Sequence, residues 1–249
     1  MESWRDQALV LSSRRHGEAG AVITLLSETN GRHAGYLHGA TSNTKKIFSE
    51  PGTEVTAEWQ ARTSDQLGHF RFEYVTNWAG FVMEDRARLT ALTSACQLVE
   101  QALPEREAHP EIFYGLKALF QTLQTDVWGA AYVMWEIAFL KELGFAIDLT
   151  KCAGGGDAQT LAYVSPKTGR AVSSAQGLLY KDRLLHLPEF LKKDGDRQVA
   201  GSDEDVATGL KMTGHFWEHW VFAQHSGGIP EARLRLAAQF VKKDGNGKV

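Results

Sequence analysis

Leu67-Gly68-His69-Phe70-Arg71-Phe72-Glu73-Tyr74-Val75-Thr76 alternates residue by residue. Side chains flip at every residue of an extended chain. Phe70, Phe72 and Tyr74 therefore fall on one side and His69, Arg71 and Glu73 on the other. Before this run, Thr53 to Arg62 also alternates, with Val55, Ala57 and Trp59 on one face, and Pro51-Gly52 breaks the chain ahead of it. Further back lie Arg32 to Gly39 behind the hairpin signal Asn30-Gly31, then Ala21 to Leu26, then Ala8 to Leu11. His16-Gly17-Glu18-Ala19-Gly20 reads as the turn between the first two. Five short strands make a small closed barrel of the OB type the simplest solution, with an open sandwich as its competitor.

Past residue 80 the period changes. Leu89, Leu92, Cys96, Val99 and Leu103 follow a helical spacing that Pro104 stops. Pro110 opens a second helix with Ile112, Phe113, Leu116, Leu119, Phe120 and Leu123. Val127 to Leu143 is apolar nearly all round and should lie at the centre of the helical part, with Gly144 as its C-cap. From Phe145 to Tyr180 the helical period is lost in turn-rich sequence, with a short strand expected at Leu161 to Val164. Ser202 with Asp205 reads as an N-cap box for a helix to about His225. Pro230 opens a last helix carrying Leu234, Ala237 and Val241, and the polar tail Lys242 to Val249 should fray. The expected architecture is α+β: a five-stranded OB-type barrel over 1–78, then a mainly helical domain over 79–249 with an irregular insertion at about 145–182.

Composition narrows the function classes. The 249 residues carry 27 Lys+Arg against 30 Asp+Glu, a formal charge of −3, so a nucleic-acid binder of this balance must gather its cations locally. The two cysteines, Cys96 and Cys152, rule out a disulfide framework and a four-cysteine zinc site, and suit a reducing, cytoplasmic setting. The charged start, Met1 to Asp6, does not read as a signal peptide. The most apolar window, Val127 to Leu140, is shorter than the ~20 residues of a membrane span and contains Glu136. The sequence has no P-loop and no nucleophile elbow. His215-Phe216-Trp217-Glu218-His219 fits the H-x-x-E-H pattern of inverted zinc peptidases, but only Glu231 and Asp244 follow as carboxylates for a third ligand, and the context favours an amphipathic helix with aromatic residues inward and histidines at its edge.

The remaining signal is electrostatic. Arg14, Arg15, Arg32, Lys45 and Lys46 are candidate phosphate contacts, with Tyr36 or Phe48 as a stacking partner or as barrel core. His16, His33 and His38 fall near the same groove, where protonation below about pH 6.5 would tighten DNA binding.

Several stretches together resemble the bacterial RecO family of DNA repair and recombination proteins. Trp4 to Glu18, with its His16-Gly17-Glu18 corner, is similar to that family's first strand and turn. Gly31-Arg32 through Gly39-Ala40 and Glu50-Pro51-Gly52 resemble its third strand and the following loop. Leu143 to Leu149, Tyr163 to Ser173 and Ile229 to Arg233 match later regions in order. The resemblance implies an OB domain followed by a helical domain and an ATP-independent annealer of complementary strands, not an enzyme. The implied partners are single- and double-stranded DNA, RecR, the C-terminal tail of single-stranded DNA-binding protein and, indirectly, RecA.

Two departures qualify this. Zinc-bearing relatives have two C-x-x-C pairs where this chain has only Cys152, so the region should be a degenerate zinc-ribbon-like loop with no metal and no cofactor. The loop His38 to Lys46 carries fewer cations than relatives do, so His38 joins the candidates and Lys167 and Arg170 could compensate. Lys117 or Lys141 would suit a pocket for the acidic tail. Two competing readings stay open: a protein adaptor acting through RecR or the coating protein with little direct DNA contact, and a zinc hydrolase centred on His215 and His219.

Overall fold

The chain is described by a computed structural model covering residues 1–193, 195–196 and 198–241. The tail expected to fray, Lys242 to Val249, lies outside the described residues. The chain divides into two compact units, Met1–Thr125 with Pro230–Arg233, and Asp126–Ile229 with the residues from Leu234 onward.

The first unit opens with a closed barrel in the order β1-β2-β3-β5-β4. Its strands are β1 (Glu2–His16), β2 (Gly20–Ser27), β3 (Gly31–Leu37), β4 (Thr53–Ala61) and β5 (His69–Asn77). Long antiparallel ladders join β1 to β2 and to β4, while β3 and β5 meet in a single parallel pair, Tyr36↔His69. This is the OB-type barrel expected from the alternation. Ala8, Val10, Ile23, Leu25, Val55, Ala57, Trp59 and Phe70 fill it, with Trp4, Phe48 and Phe72 packed against the cluster.

β1 is far longer than its apolar run because its outer residues are polar and conceal the period. Leu9 and Leu11 are also buried: Ala8 and Val10 take the barrel face, and α2 (Arg86–Ala102) packs on β1 from the other side. A bulge lies between Val10 and Ser12. It reverses the alternation beyond Leu11, so Arg14 stands on the outer face, where an unbroken strand would have turned it inward. In β5 the expected face is only partly kept. Phe70 is buried and Phe72 is half-buried, but Tyr74 is 54% exposed, beside a register shift that leaves Val75 unpaired.

A short α1 (Trp78–Val82) follows, capped by Asn77. Asp85 caps α2 by accepting from the N–H groups of Ala87 and Arg88. α3 (Pro110–Thr122) starts at its proline and buries Ile112, Phe113, Leu116, Leu119 and Phe120. In the second unit, α4 (Trp128–Glu142) buries one broad face through Tyr132, Val133, Glu136, Phe139 and Leu140, but Met134 and Ala138 on the opposite side are exposed, so the all-round burial expected from its apolar sequence is not found. It packs against α6 (Asp203–Phe216), where the buried Thr213 hydroxyl donates to the buried Glu136 carboxylate. Between them β6 (Leu161–Val164), β7 (Ala171–Ser173) and β8 (Leu185–His186) form a small sheet with β6 central, and the one-turn α5 (Ser174–Gly177) follows β7. Ser202 caps α6 as read, accepting from the Asp205 N–H at 3.2 Å. The helix then loosens into a π-turn, Trp217–Val221, and α7 (Glu231–Phe240) follows.

Candidate nucleic-acid interface

One row of paired residues crosses the outside of all five barrel strands. Arg14 pairs with Val22, Val22 with Tyr36, Tyr36 with His69, and His69 with Gln60. Residues directly opposite share a face, so Arg14 and Tyr36 are displayed together. His16 and His38, two residues further along β1 and past the end of β3, continue that face. The Tyr36 ring sits 5.9 Å from His16, 4.6 Å from His38 and 6.1 Å from His69, and His38 and His69 stack at 5.0 Å. A ring nitrogen of His38 lies 3.2 Å from one of His69. Gly20 permits this arrangement, because a Cβ there would lie 1.8 Å from the Tyr36 hydroxyl.

Beside the row opens a cleft of about 650 Å³. Met1, Ala61 and Leu67 supply apolar wall, and His16, Tyr36, Gln60, Arg62 and His69 supply polar groups. Among the described residues that line it there is no Asp or Glu. The β4–β5 loop forms one side. Its Gly68 has φ +65 and lies against Trp59, whose indole nitrogen a Cβ would approach to 2.4 Å, so only glycine fits. An apolar floor with aromatic and cationic groups is what a nucleobase flanked by phosphates needs. The strand face with the β1–β2 and β4–β5 loops is where OB barrels take oligonucleotides.

The residues singled out from the sequence divide. Tyr36 lines the cleft and His38 stacks on its edge. Lys45 is exposed and donates from Nζ to the His38 carbonyl at 3.0 Å, which holds it beside the row. Arg14 stands two strands away from Tyr36. Arg15 is exposed at the first turn, donating to the Glu18 carbonyl at 3.2 Å, and Lys46 is exposed where a 3-10 turn begins. Arg32 is not brought to the cleft: it lies at the far end of β3, where its Nε donates to the Leu103 carbonyl at 2.8 Å and its guanidinium pairs with Glu105. Phe48 packs at the barrel edge against Phe72.

His33 requires a correction. It is 4% exposed inside the barrel, ringed by Trp4, Trp59 and Phe70, and is not a groove residue. Burial, with the Arg106 cation adding to it, pushes its pKa down to about 4. Lys117, considered for a tail pocket, is bound to the buried Glu54 carboxylate, and Lys141 is exposed on the last turn of α4. Arg62, Gln60 and His69 went unassigned in the sequence. Their signal was the outward side of the two alternating runs.

The comparisons with known proteins agree with this barrel. Residues 1–77 match the family described as Recombination protein O N terminal, and residues 83–227 match Recombination protein O C terminal. The chain is 48% identical over 241 residues to the DNA repair protein RecO of Rhodospirillum centenum, covering 96% of this chain and 95% of that one. It is 42% identical to the protein of the same name from Caulobacter vibrioides NA1000 / CB15N, covering 97% and 98%, and 39% identical to that of Rhodospirillum rubrum, covering 95% of each. The chain belongs to the RecO family.

The zinc ribbon of some RecO proteins does not fit the residues here. Cys152 is answered by Ser173, whose N–H donates to the sulfur at 3.2 Å and whose hydroxyl lies 3.5 Å from it. One thiol beside a serine is not a zinc donor set. Burial works to raise the Cys152 pKa, but hydrogen bonds from Ser173 and from the N–H groups of Gly154 and Gly156 outweigh it and bring the thiol to about 7. Among the described residues no group of three or more His, Cys, Asp or Glu could hold a metal ion. In this RecO-family chain His215 and His219 stack at 4.1 Å. Each faces a backbone oxygen, His215 that of Pro166 at 3.2 Å and His219 that of His215 at 2.9 Å. Lys167 and Arg170 are exposed on the β6–β7 turn of the second unit. No helix of the described residues is long and apolar enough to cross a membrane.

Proposed function

We propose that this chain is a DNA repair and recombination mediator that binds DNA through the barrel cleft. It acts on single and double strands and anneals complementary strands without ATP. With RecR it helps load RecA onto strands coated by single-stranded DNA-binding protein, whose C-terminal tail it also engages, and it works in the cytoplasm. The observation that carries this reading is the carboxylate-free cleft on the outer barrel face, where Arg62, Tyr36, His16 and His69 converge with His38 and Lys45 beside them. Cations there displace counterions from the phosphates while Tyr36 stacks on a base. Arg14 and Lys46 extend the path of the strand, Arg15 faces the other side of β1 and can meet a phosphate only at the β1–β2 turn, and Lys167 and Arg170 offer contacts on the second unit.

The adaptor reading draws support from the net charge of −3 and from Arg32, whose guanidinium is already engaged within the protein. A gel shift with bare single strands and no partner protein separates the two. Salt-sensitive binding, followed by annealing without ATP, supports the mediator. No shift at low salt leaves the adaptor.

A further inference from the structure

The connection between α2 and α3 contains Arg106, whose backbone φ is 61, the one positive value outside glycine among the described residues. A side chain with a Cβ is disfavoured there and stays only where its surroundings hold it. The Arg106 N–H donates to the Arg32 carbonyl at 2.8 Å, next to a parallel bridge between Arg32 and Glu105, so the connection lies along the edge of β3. From that edge the guanidinium reaches the β4–β5 loop. Nη1 donates to the Ser64 carbonyl and Nη2 to the Gln66 carbonyl, the latter at 3.0 Å.

The next two carbonyls of the loop are taken as well. Trp59 Nε1 donates to Leu67 O at 2.9 Å, and the Tyr36 N–H donates to Gly68 O at 3.1 Å. Three elements thus seize three successive carbonyls of the loop that walls the cleft. Only the Arg106 fork spans two loop carbonyls, and it comes from outside the barrel.

We infer that Arg106 is a positioning residue for the cleft: its fork holds residues 64–66 so that Gln66, Leu67 and Gly68 stand as a preformed wall, without itself touching the nucleic acid. The inference rests on the cleft being the DNA site. Without the fork the loop must be ordered at the moment of binding, which weakens affinity while every phosphate contact stays in place.

The experiment uses the full chain, a labelled single-stranded oligonucleotide and a salt series. Arg106→Gly accepts the positive φ freely and so keeps the fold while removing the fork. It should bind roughly tenfold more weakly with the salt slope of the parent, because only the ordering cost changes. Amide exchange at Tyr36 should quicken while the β1–β2 ladder is unaffected. Arg106→Lys should not rescue, since a single ammonium cannot grip two carbonyls as a planar fork does. A slope shallower by about 0.7 would make Arg106 a phosphate contact and overturn the inference. So would parent-like affinity in Arg106→Gly, or unchanged Tyr36 exchange, in a protein that Arg62→Ala weakens. If neither Arg62→Ala nor Arg106→Gly alters binding, the cleft is not the DNA site and both readings fall.

Discussion

The His33 imidazole stands edge-on to the Trp59 indole, their centroids 4.7 Å apart, inside a barrel where neither ring nitrogen finds a partner among the described residues. A proton on that ring would be a buried cation close to Arg106. The folded state therefore holds it off until about pH 4, whereas the unfolded chain takes it near 6.5. Between those values the unfolded state binds more protons, so stability rises with pH and is lost as pH falls. The full span corresponds to at most about 3 kcal/mol. His33→Phe should flatten the melting-temperature profile from pH 6.5 to 4 without loss at neutral pH. Parallel profiles for variant and parent would refute this.

The cleft makes a second prediction through salt. Lys45→Ala with Lys46→Ala should weaken single-strand binding and reduce the slope of log K against log salt by up to about 1.4, about 0.7 for each phosphate that is no longer neutralised. Tyr36→Ala should weaken binding by about 1–3 kcal/mol with its slope unchanged, the mark of missing base stacking. Fluorescence anisotropy across a salt series reads both. A Tyr36 variant with a changed slope would contradict the assigned role.

Asp6 ties β1 to the β2–β3 turn. Its carboxylate accepts from the Ser27 hydroxyl, the Thr29 N–H at 2.7 Å and hydroxyl at 2.8 Å, and the Asn30 amide at 3.2 Å. Burial alone would raise its pKa, but the bonds from Ser27 foremost, then from the Thr29 N–H and hydroxyl and the Gln7 N–H, hold it below the usual carboxylate range. The stabilisation is present above the unfolded value of 3.8 and disappears as pH falls through the depressed one. Asp6→Ala should cost about 1–3 kcal/mol by denaturant titration at pH 7, since it orphans several donors. A variant as stable as the parent would show the turn to be held by other contacts.

The two thiols should differ in reactivity. Cys96 is fully buried on α2, and burial drives its pKa far up, while Cys152 lies near 7 and keeps a little exposure. The thiolate is the nucleophile. Alkylation of the native protein followed by mass spectrometry should mark Cys152 first, with a rate that climbs through pH 7. Equal labelling of Cys96 would argue against the difference.

Much of this was legible in the residues. Alternation placed the last two barrel strands, short apolar runs and turn signals placed the first three, and the 3–4 spacing after residue 80 placed the first helices, because burial on one face writes itself into the sequence. What escaped depended on contacts between distant segments. His33 looked like a polar groove residue because nothing local announces that Trp4, Trp59 and Phe70 enclose it. The bulge at Leu11 that turns Arg14 outward leaves no compositional mark. Arg62 and His69 lay opposite the apolar faces of the two alternating runs, yet only barrel closure brings them to one cleft. Arg106 sits in a connection without any period, and its reach to Ser64 and Gln66 crosses about forty residues of chain.

The lone pair Tyr36↔His69 is the narrowest clasp in an otherwise broadly laced hoop. Thermal breathing escapes where lacing is thinnest, and here that spot borders the cleft. Opening at that point would leave the long ladders on either side of β1 intact.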